Sequence, residues 1–215
     1  MIDLLYNHSS DVYSANGEDG INEYILKHLK LDSGVVLEIG AWDGFFDSNC
    51  ANLWSNGSYN GILIEATSKL NIADLESRYD NINCYRELIS SSNTLEDVID
   101  KCKFDVDEDN FVLASIDVDG DDLNVARSLG KYKPIILIVE PNGDVITRSN
   151  SNGSTIKELI DFGVDFGYDF MGMSGHVGRH SGNVYLIRND YKDKFDICSK
   201  PWQQRGIILS EGVLY

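Results

Sequence analysis

Short runs of consecutive apolar residues recur along this chain, and each ends at a glycine or an acidic residue. The four clearest runs cover residues 35–40, 61–65, 111–117 and 134–140. Uninterrupted runs of this length are typical of strands that are buried on both faces, as in parallel sheets. A weaker strand is predicted at 81–86, between the second and third of these runs.

Segments with helical spacing of apolar residues lie before and between these runs, at 19–30, 68–79, 94–102, 122–129 and 154–166. Thr94 and Asp97 form a variant of the capping box that begins helices. Two further strands are predicted at 168–173 and 183–188, joined by a glycine-rich connection. The predicted fold class is therefore α/β. We expect a Rossmann-like, mostly parallel seven-stranded sheet with helices on both faces and a terminal antiparallel hairpin.

The length of 215 residues predicts a single domain. Within it we expect a helical lead-in at 1–33, the core sheet at 34–190 and a tail at 191–215 that packs on the domain or on a second subunit. Hydrophobic residues make up 42% of the chain and charged residues 25%, which excludes a disordered chain. A homo-oligomer is compatible with this organisation.

Acidic residues outnumber basic ones, with 35 Asp and Glu against 18 Lys and Arg and a net charge of −17. Nucleic-acid binding depends on basic groups that meet phosphates, so we expect no nucleic-acid partner. No apolar run is long enough for a membrane span. The N-terminus carries no visible signal peptide, and the four cysteines form no CxxC pair, which together predict a cytoplasmic protein.

Ligands of open α/β sheets bind outside the carboxyl ends of the strands. This rule selects the candidate site before any motif is considered. The stretches that follow the predicted strands there are Glu38–Gly44, Glu65, Asp117–Asp122, Glu140–Asn142 and the hairpin loop 174–182.

The first of these turns carries Gly40 and Gly44, separated by three residues, which is not the GxGxxG pattern of dinucleotide-binding turns. Glu38 and Asp43 in the same turn would repel a pyrophosphate and favour a cationic or hydroxyl-rich ligand. Glu65 can accept both hydroxyls of a ribose. The alternatives are a plain strand-to-helix turn and an exposed carboxylate at a strand end.

An acidic cluster follows the predicted strand at 111–117, but its spacing excludes an EF-hand. Asp117 or Asp119, with Glu140 and Asn142, offers oxygen ligands for Mg²⁺ or another divalent cation. Crowded carboxylates also raise one another's pKa, which suits a general base. We expect Asp117 to face the site, and Asp122 to cap the helix that it precedes.

His176 lies in the hairpin loop and is a candidate base or substrate contact. Its spacing from His180 has little meaning outside a helix, and zinc binding is disfavoured. The alternative is a pair of exposed loop histidines.

Five segments together resemble class I S-adenosylmethionine-dependent methyltransferases. VLEIGAWDG at 36–44 resembles their first motif, and GILIE at 61–65 resembles their ribose-binding strand. LASIDVDG at 113–120 and ILIVEPN at 136–142 are similar to the fourth and fifth strands of the FkbM-like branch. SANGEDG at 14–20 is similar to the lead-in of that branch, so the resemblance extends over about 14–188.

The resemblance implies transfer of a methyl group from S-adenosylmethionine to a small-molecule acceptor, such as a sugar or a natural-product intermediate. Oxygen is the favoured acceptor atom, and nitrogen is the second choice. The implied cofactor residues are those of the first motif, the ribose-binding acid and the acid beside the sulfonium and acceptor, namely Glu38, Gly40, Asp43, Gly44, Glu65 and Asp117. The segment 87–93 is the candidate for the adenine contact.

The pair Trp42-Asp43 departs from the small or polar residues that are usual after the central glycine of the first motif. Two other functions stay open at this point. One is a catalytically inactive cofactor-binding or regulatory module of a biosynthetic complex. The other is an NAD-type oxidoreductase on the same sheet.

Overall fold

The structure is a computed structural model that describes residues 3–148, 152–175, 182–209 and 212–214. Its helices and strands alternate as the apolar pattern predicts. The strands are β1 (Gly34–Ile39), β2 (Tyr59–Ile64), β3 (Ile82–Tyr85), β4 (Phe111–Ile116), β5 (Ile136–Val139), β6 (Tyr168–Met173), β7 (Val184–Arg188), β8 (Ile207–Leu209) and β9 (Gly212–Leu214). The α-helices are α1 (Glu18–Leu29), α2 (Ala51–Trp54), α3 (Ile72–Arg78), α4 (Leu95–Ile99), α5 (Asp122–Arg127) and α6 (Ile156–Phe166).

Seven strands form one sheet in the order β3-β2-β1-β4-β5-β7-β6. The pairs among β1 to β5 are parallel, whereas β7 is antiparallel to both β5 and β6. The predicted mostly parallel sheet with a terminal antiparallel hairpin is therefore confirmed. The chain reverses its direction of travel across the sheet between β1 and β4, which opens a crevice at the carboxyl ends of these strands.

Two buried clusters cover the two faces of this sheet. One contains apolar side chains of α4, α5 and α6, and the other contains those of α1, α2 and α3. Side chains of one strand alternate between them: Leu37 and Ile39 enter the first cluster, and Val36 enters the second. This explains why the strands read as continuous apolar runs, because both of their faces are covered.

Helix ends differ from the sequence prediction where a polar side chain fixes the boundary. The Thr94–Asp97 capping box forms as predicted. The last long helix is capped by Thr155 with Glu158 rather than beginning at Ser154. Helix α3 is shorter than its predicted range because Asn71 accepts a hydrogen bond from the backbone of Asp74 at its start. Helix α2 was not predicted, since four residues are too few for a helical period.

The segment after β7 contains three short 3₁₀ helices and the two-stranded sheet of β8 and β9, which the sequence did not reveal. Arg205 joins this segment to β6. Its guanidinium is buried, donates to the carboxylate of Asp169 and to the carbonyl of Phe170, and also donates to carbonyls at 198 and 200. Among the described helices, none has the length and apolar character that crossing a membrane requires.

Candidate active site

A cavity of about 490 Å³ opens at the carboxyl edge of the sheet. Its walls come from the ends of β1, β2 and β4, from the segment after β3, and from α5. This volume lies in the range that small-molecule sites occupy. Of the residues selected from the sequence, Gly40, Glu65, Asp117 and Asp119 line it, and so does the 87–89 part of the segment proposed for adenine.

Gly40 directly follows β1 and lies against the backbone that follows β4. Its φ of +80° lies in the left-handed region, and a Cβ atom there would fall 1.7 Å from the carbonyl oxygen of Asp117. The amides of Gly40 and Ala41 both donate to the carbonyl of Ile64, at 3.0 and 3.1 Å. Only glycine fits this position, because any side chain would meet backbone atoms rather than a flexible neighbour.

Glu65 presents a carboxylate whose orientation is fixed by the backbone. Oε2 accepts from the amide of Trp42 at 3.0 Å, and Oε1 accepts from the amide of Thr67 at 2.7 Å. Each oxygen of an ionised carboxylate has a second lone pair available for a hydrogen bond. The side chain is buried in the protein but lines the cavity, so it can accept two hydroxyl groups from a ligand.

Glu38, Asp43 and Gly44 do not line the cavity but shape the loop that follows β1. Glu38 accepts from the Ser48 hydroxyl at 2.5 Å and from the Asn49 amide at 2.6 Å, and its burial raises its pKa to about 7. The carboxylate of Asp43 accepts from two backbone amides, at positions 45 and 46. Gly44 has a φ of +95° and lies beside Leu75 of α3.

Three carboxylates meet at the ends of β4 and β5. Oxygens of Asp117, Asp122 and Glu140 lie within 4.8 Å of one another, whereas Asp119 lies outside this group. Burial first, and neighbouring carboxylates second, raise the pKa of Asp117 to about 6 and that of Glu140 to about 8. Oxygens of the two side chains lie within 4.8 Å of each other, so ionisation of either carboxylate opposes that of the other, and the pair keeps a proton more readily than an isolated carboxylate does.

The prediction that Asp122 caps its helix is wrong. Asp121 occupies the N-cap position, and the buried carboxylate of Asp122 turns back to accept from the amides of Val118 and Gly120, at 2.7 and 3.0 Å. The amide nitrogen of Asn142 donates to Asp122 at 2.8 Å and to Glu140 at 3.0 Å. Asn142 thus holds the carboxylates together as a hydrogen-bond donor.

Strained backbone concentrates at the cavity. Four described residues other than glycine have a positive φ, and three of them line the cavity: Trp42 at +48°, Asp47 at +51° and Asp119 at +58°. Left-handed backbone costs about 1 kcal/mol or more for such residues, and it clusters at ligand sites. Sequence reasoning missed Asp47, because nothing in its local pattern signals this conformation.

The cavity is acidic and has an apolar rim. Among its described lining residues there is no Lys, Arg or His, whereas six are acidic: Asp47, Glu65, Glu87, Asp117, Asp119 and Asp121. Trp42, Phe46 and Leu88 line it with 44%, 64% and 73% of their surface exposed. Exposed apolar side chains around a concave polar site are typical of a surface that meets a ligand.

The N-terminal lead-in is joined to the same edge of the sheet through Glu18. This fully buried carboxylate accepts from the Ser174 hydroxyl at 2.6 Å, from the Asn183 amide at 2.8 Å and from the Asn16 backbone at 2.9 Å. Burial raises its pKa. Sequence analysis assigned no role to Glu18 beyond its place in the segment at 14–20 that carries the resemblance. His176, which was selected from the sequence, lies outside the described residues.

No protein-family model and no curated protein matches this chain. It is similar in structure to the precorrin-6y C5,15-methyltransferase of Geobacter metallireducens GS-15, with a TM-score of 0.42, 18% identity and coverage of 83% of this chain and 90% of that one. For a SAM dependent methyltransferase of Aquifex aeolicus, the TM-score is 0.43 and the sequence identity is 14%. The match covers 77% of this chain and 88% of that one. For the CMeT domain of the citrinin polyketide synthase, the TM-score is 0.46 and the sequence identity is 13%. The match covers 83% of this chain and 55% of that one. At these values the similarities do not identify an activity for this chain.

Proposed function

We propose that this chain is an S-adenosylmethionine-dependent methyltransferase of the FkbM-like branch. It transfers a methyl group to an oxygen, or as second choice a nitrogen, of a small polar acceptor such as a sugar or a natural-product intermediate. The observation that carries the proposal is the fixed Glu65 carboxylate, with free lone pairs, at the end of β2 in an acidic cavity beside the β1–β4 crevice.

The residues at the cavity fit this cofactor better than a dinucleotide. A nicotinamide dinucleotide carries a pyrophosphate, which needs backbone amides or cations, whereas the described lining has six carboxylates and no basic side chain. S-adenosylmethionine carries no phosphate and has a net positive charge. Glu65 can accept hydrogen bonds from the ribose hydroxyls, and the apolar side chains of the segment after β3 can pack against the adenine ring.

The bound cofactor supplies a methyl group that its sulfonium already activates for in-line displacement. The protein's contribution is to align the acceptor and to remove one proton, and alignment alone supplies much of the rate. Asp117 lies at the cavity with a pKa of about 6, close to the value that suits a general base near neutral pH. Its carboxylate accepts the acceptor's proton, and Glu140 lies beside it at the end of β5.

A divalent cation is a second way to activate the acceptor oxygen at this edge. The close approach of oxygens from Asp117, Asp122 and Glu140 supports this option. The set predicted from the sequence had Asp119 as a ligand, whereas here Asp122 takes that place. A cation held there would require Glu140 to be ionised, and Asn142 would have to present its amide oxygen in place of its nitrogen. Addition of Mg²⁺ during the binding and turnover experiments below tests this option.

Calorimetric titration with S-adenosylhomocysteine, with and without Mg²⁺, tests the cofactor. Micromolar binding supports the proposal, and absence of binding under both conditions contradicts it. Turnover is then followed as release of S-adenosylhomocysteine with a panel of sugars, phenols and amines. Binding without turnover on any acceptor favours the inactive module, and preferential binding of NADH favours the oxidoreductase.

The remaining expectations concern the surroundings of the enzyme. The four cysteines are all free, which supports a reducing compartment such as the cytoplasm. A homo-oligomer stays a prediction, which light scattering of the purified protein tests.

A further inference from the structure

Two of the six cavity carboxylates have no partner in the described part of the protein. No described side chain or backbone amide forms a hydrogen bond or ion pair with the carboxylate of Asp47 or of Asp119. The other four are engaged: Glu65 with backbone amides, Asp117 with Glu140, and the remaining two with asparagine side chains. Asp47 and Asp119 are therefore solvent-exposed carboxylates on the cavity wall that have no partner among the described residues.

These two aspartates also share an unusual backbone. Asp47 lies in the loop after β1 and Asp119 in the loop after β4, so they approach the cavity from the two sides of the crevice. Both have a φ between +50° and +60°. A strained backbone that brings an unpaired charge to a cavity is typical of a ligand site rather than of a surface that needs only solubility.

We propose that Asp47 and Asp119 select the cationic form of the cofactor over its neutral product. This inference rests on the proposed function and concerns the same cavity. S-adenosylmethionine has one more positive charge than S-adenosylhomocysteine, since methyl transfer converts a sulfonium into a thioether. Unpaired carboxylates therefore favour the cofactor and weaken binding of the product, which promotes product release after each turnover.

The described surroundings offer little to offset this selectivity. One basic side chain, Lys69, contacts a residue that lines the cavity: its ammonium lies 4.7 Å from the ring centroid of Trp42. It is not among the lining residues itself. Asp119 further adds to the negative potential at Asp117 and Asp122, the carboxylates next to the reacting edge.

The test compares the dissociation constants of three probes by calorimetry in 50 mM NaCl. S-adenosylmethionine and sinefungin, which has an amine in place of the sulfonium methyl, are the cationic probes, and S-adenosylhomocysteine is the neutral one. We expect both cations to bind at least about tenfold more tightly than the neutral probe, and the ratio to shrink in 1 M NaCl, where the Debye length is about 3 Å.

Asp47→Asn and Asp119→Asn remove the charges, and asparagine tolerates the left-handed backbone. Each should weaken the cationic probes roughly twofold to fivefold, the range of exposed ion pairs, and leave S-adenosylhomocysteine unchanged. Asp109→Asn is the matched control, because it removes an exposed charge just before β4, at the opposite edge of the sheet. Thermal unfolding verifies that each variant is folded.

Two results overturn this inference alone: S-adenosylhomocysteine binding as tightly as S-adenosylmethionine, or a ratio that neither asparagine variant changes. If none of the three probes binds, the proposed function fails, and the inference fails with it. The two failures are thus distinguishable in one set of titrations.

Discussion

Glu38→Gln should change how the stability of this protein depends on pH. The Glu38 carboxylate is almost fully buried, and burial raises its pKa from 4.5 to about 7. A raised pKa means that the folded state prefers the proton. The contribution to stability is complete below about pH 4.5 and is lost as the pH rises through 7.

The size of this effect follows from the two pKa values. One pKa unit corresponds to about 1.4 kcal/mol, so the shift amounts to about 3 kcal/mol in total, of which about 2 kcal/mol is lost between pH 5.5 and pH 8. Glutamine stays neutral and avoids this loss. It can still accept from the Asn49 amide, but it weakens the bond to the Ser48 hydroxyl, at a pH-independent cost of about 1 kcal/mol.

Urea unfolding of both proteins at pH 5.5 and pH 8 measures the difference. We expect the free energy of unfolding of the variant, relative to the wild type, to rise by about 2 kcal/mol between the two conditions. Glu23→Gln, at an exposed position of α1, is the control and should show no such rise. A rise below about 1 kcal/mol for Glu38→Gln would refute the assignment of a raised pKa to this buried carboxylate.

Three further substitutions test the site and the fold. Asp117→Asn should lower turnover about 10²-fold or more and leave the dissociation constant of S-adenosylmethionine within about threefold; equal loss of both contradicts its role as base. Gly40→Ala should lower the free energy of unfolding by more than about 3 kcal/mol or prevent folding. Gly57 has a similar φ and no atom within 4 Å of an added Cβ, so Gly57→Ala should lower it by about 1 kcal/mol. Similar losses for the two variants in urea unfolding would refute the close-approach argument. Thr155→Ala removes the capping box of α6 and should lower the free energy of unfolding by about 1 kcal/mol, measured by thermal unfolding. A loss below about 0.5 kcal/mol would contradict that contact.

The sheet could be predicted because its central strands β2, β1, β4 and β5 are buried on both faces. Continuous apolar runs then mark the strands, and the acids and glycines that follow them mark one edge. This is why Gly40, Glu65 and Asp117, which were selected at the ends of three different strands, line one cavity. The boundaries of the helices were less certain, since they depend on which polar side chain caps each first turn.

The residues that were misplaced or missed depend on contacts between distant segments. Asp122 turns back to the loop before its helix and meets Asn142 from the neighbouring strand, which a local capping pattern cannot indicate. Glu38 precedes Gly40 by two residues, yet its side chain supports the loop at 48–49. The left-handed backbone of Asp47 and Asp119 is set by their loops, and an aspartate, unlike a glycine, does not reveal it in the sequence.

The hydrogen bonds of Glu18 join residues that are 156 and 165 positions apart. During synthesis, Glu18 leaves the ribosome well before Ser174 and Asn183, which follow many seconds later at about 5–20 residues per second. Burial of an unpaired carboxylate costs free energy, so docking of the N-terminal lead-in is unfavourable until the hairpin of β6 and β7 has been synthesised. The edge that carries the cavity should therefore be the last part of the nascent chain to close, and a chain that stops before residue 174 would leave that edge open.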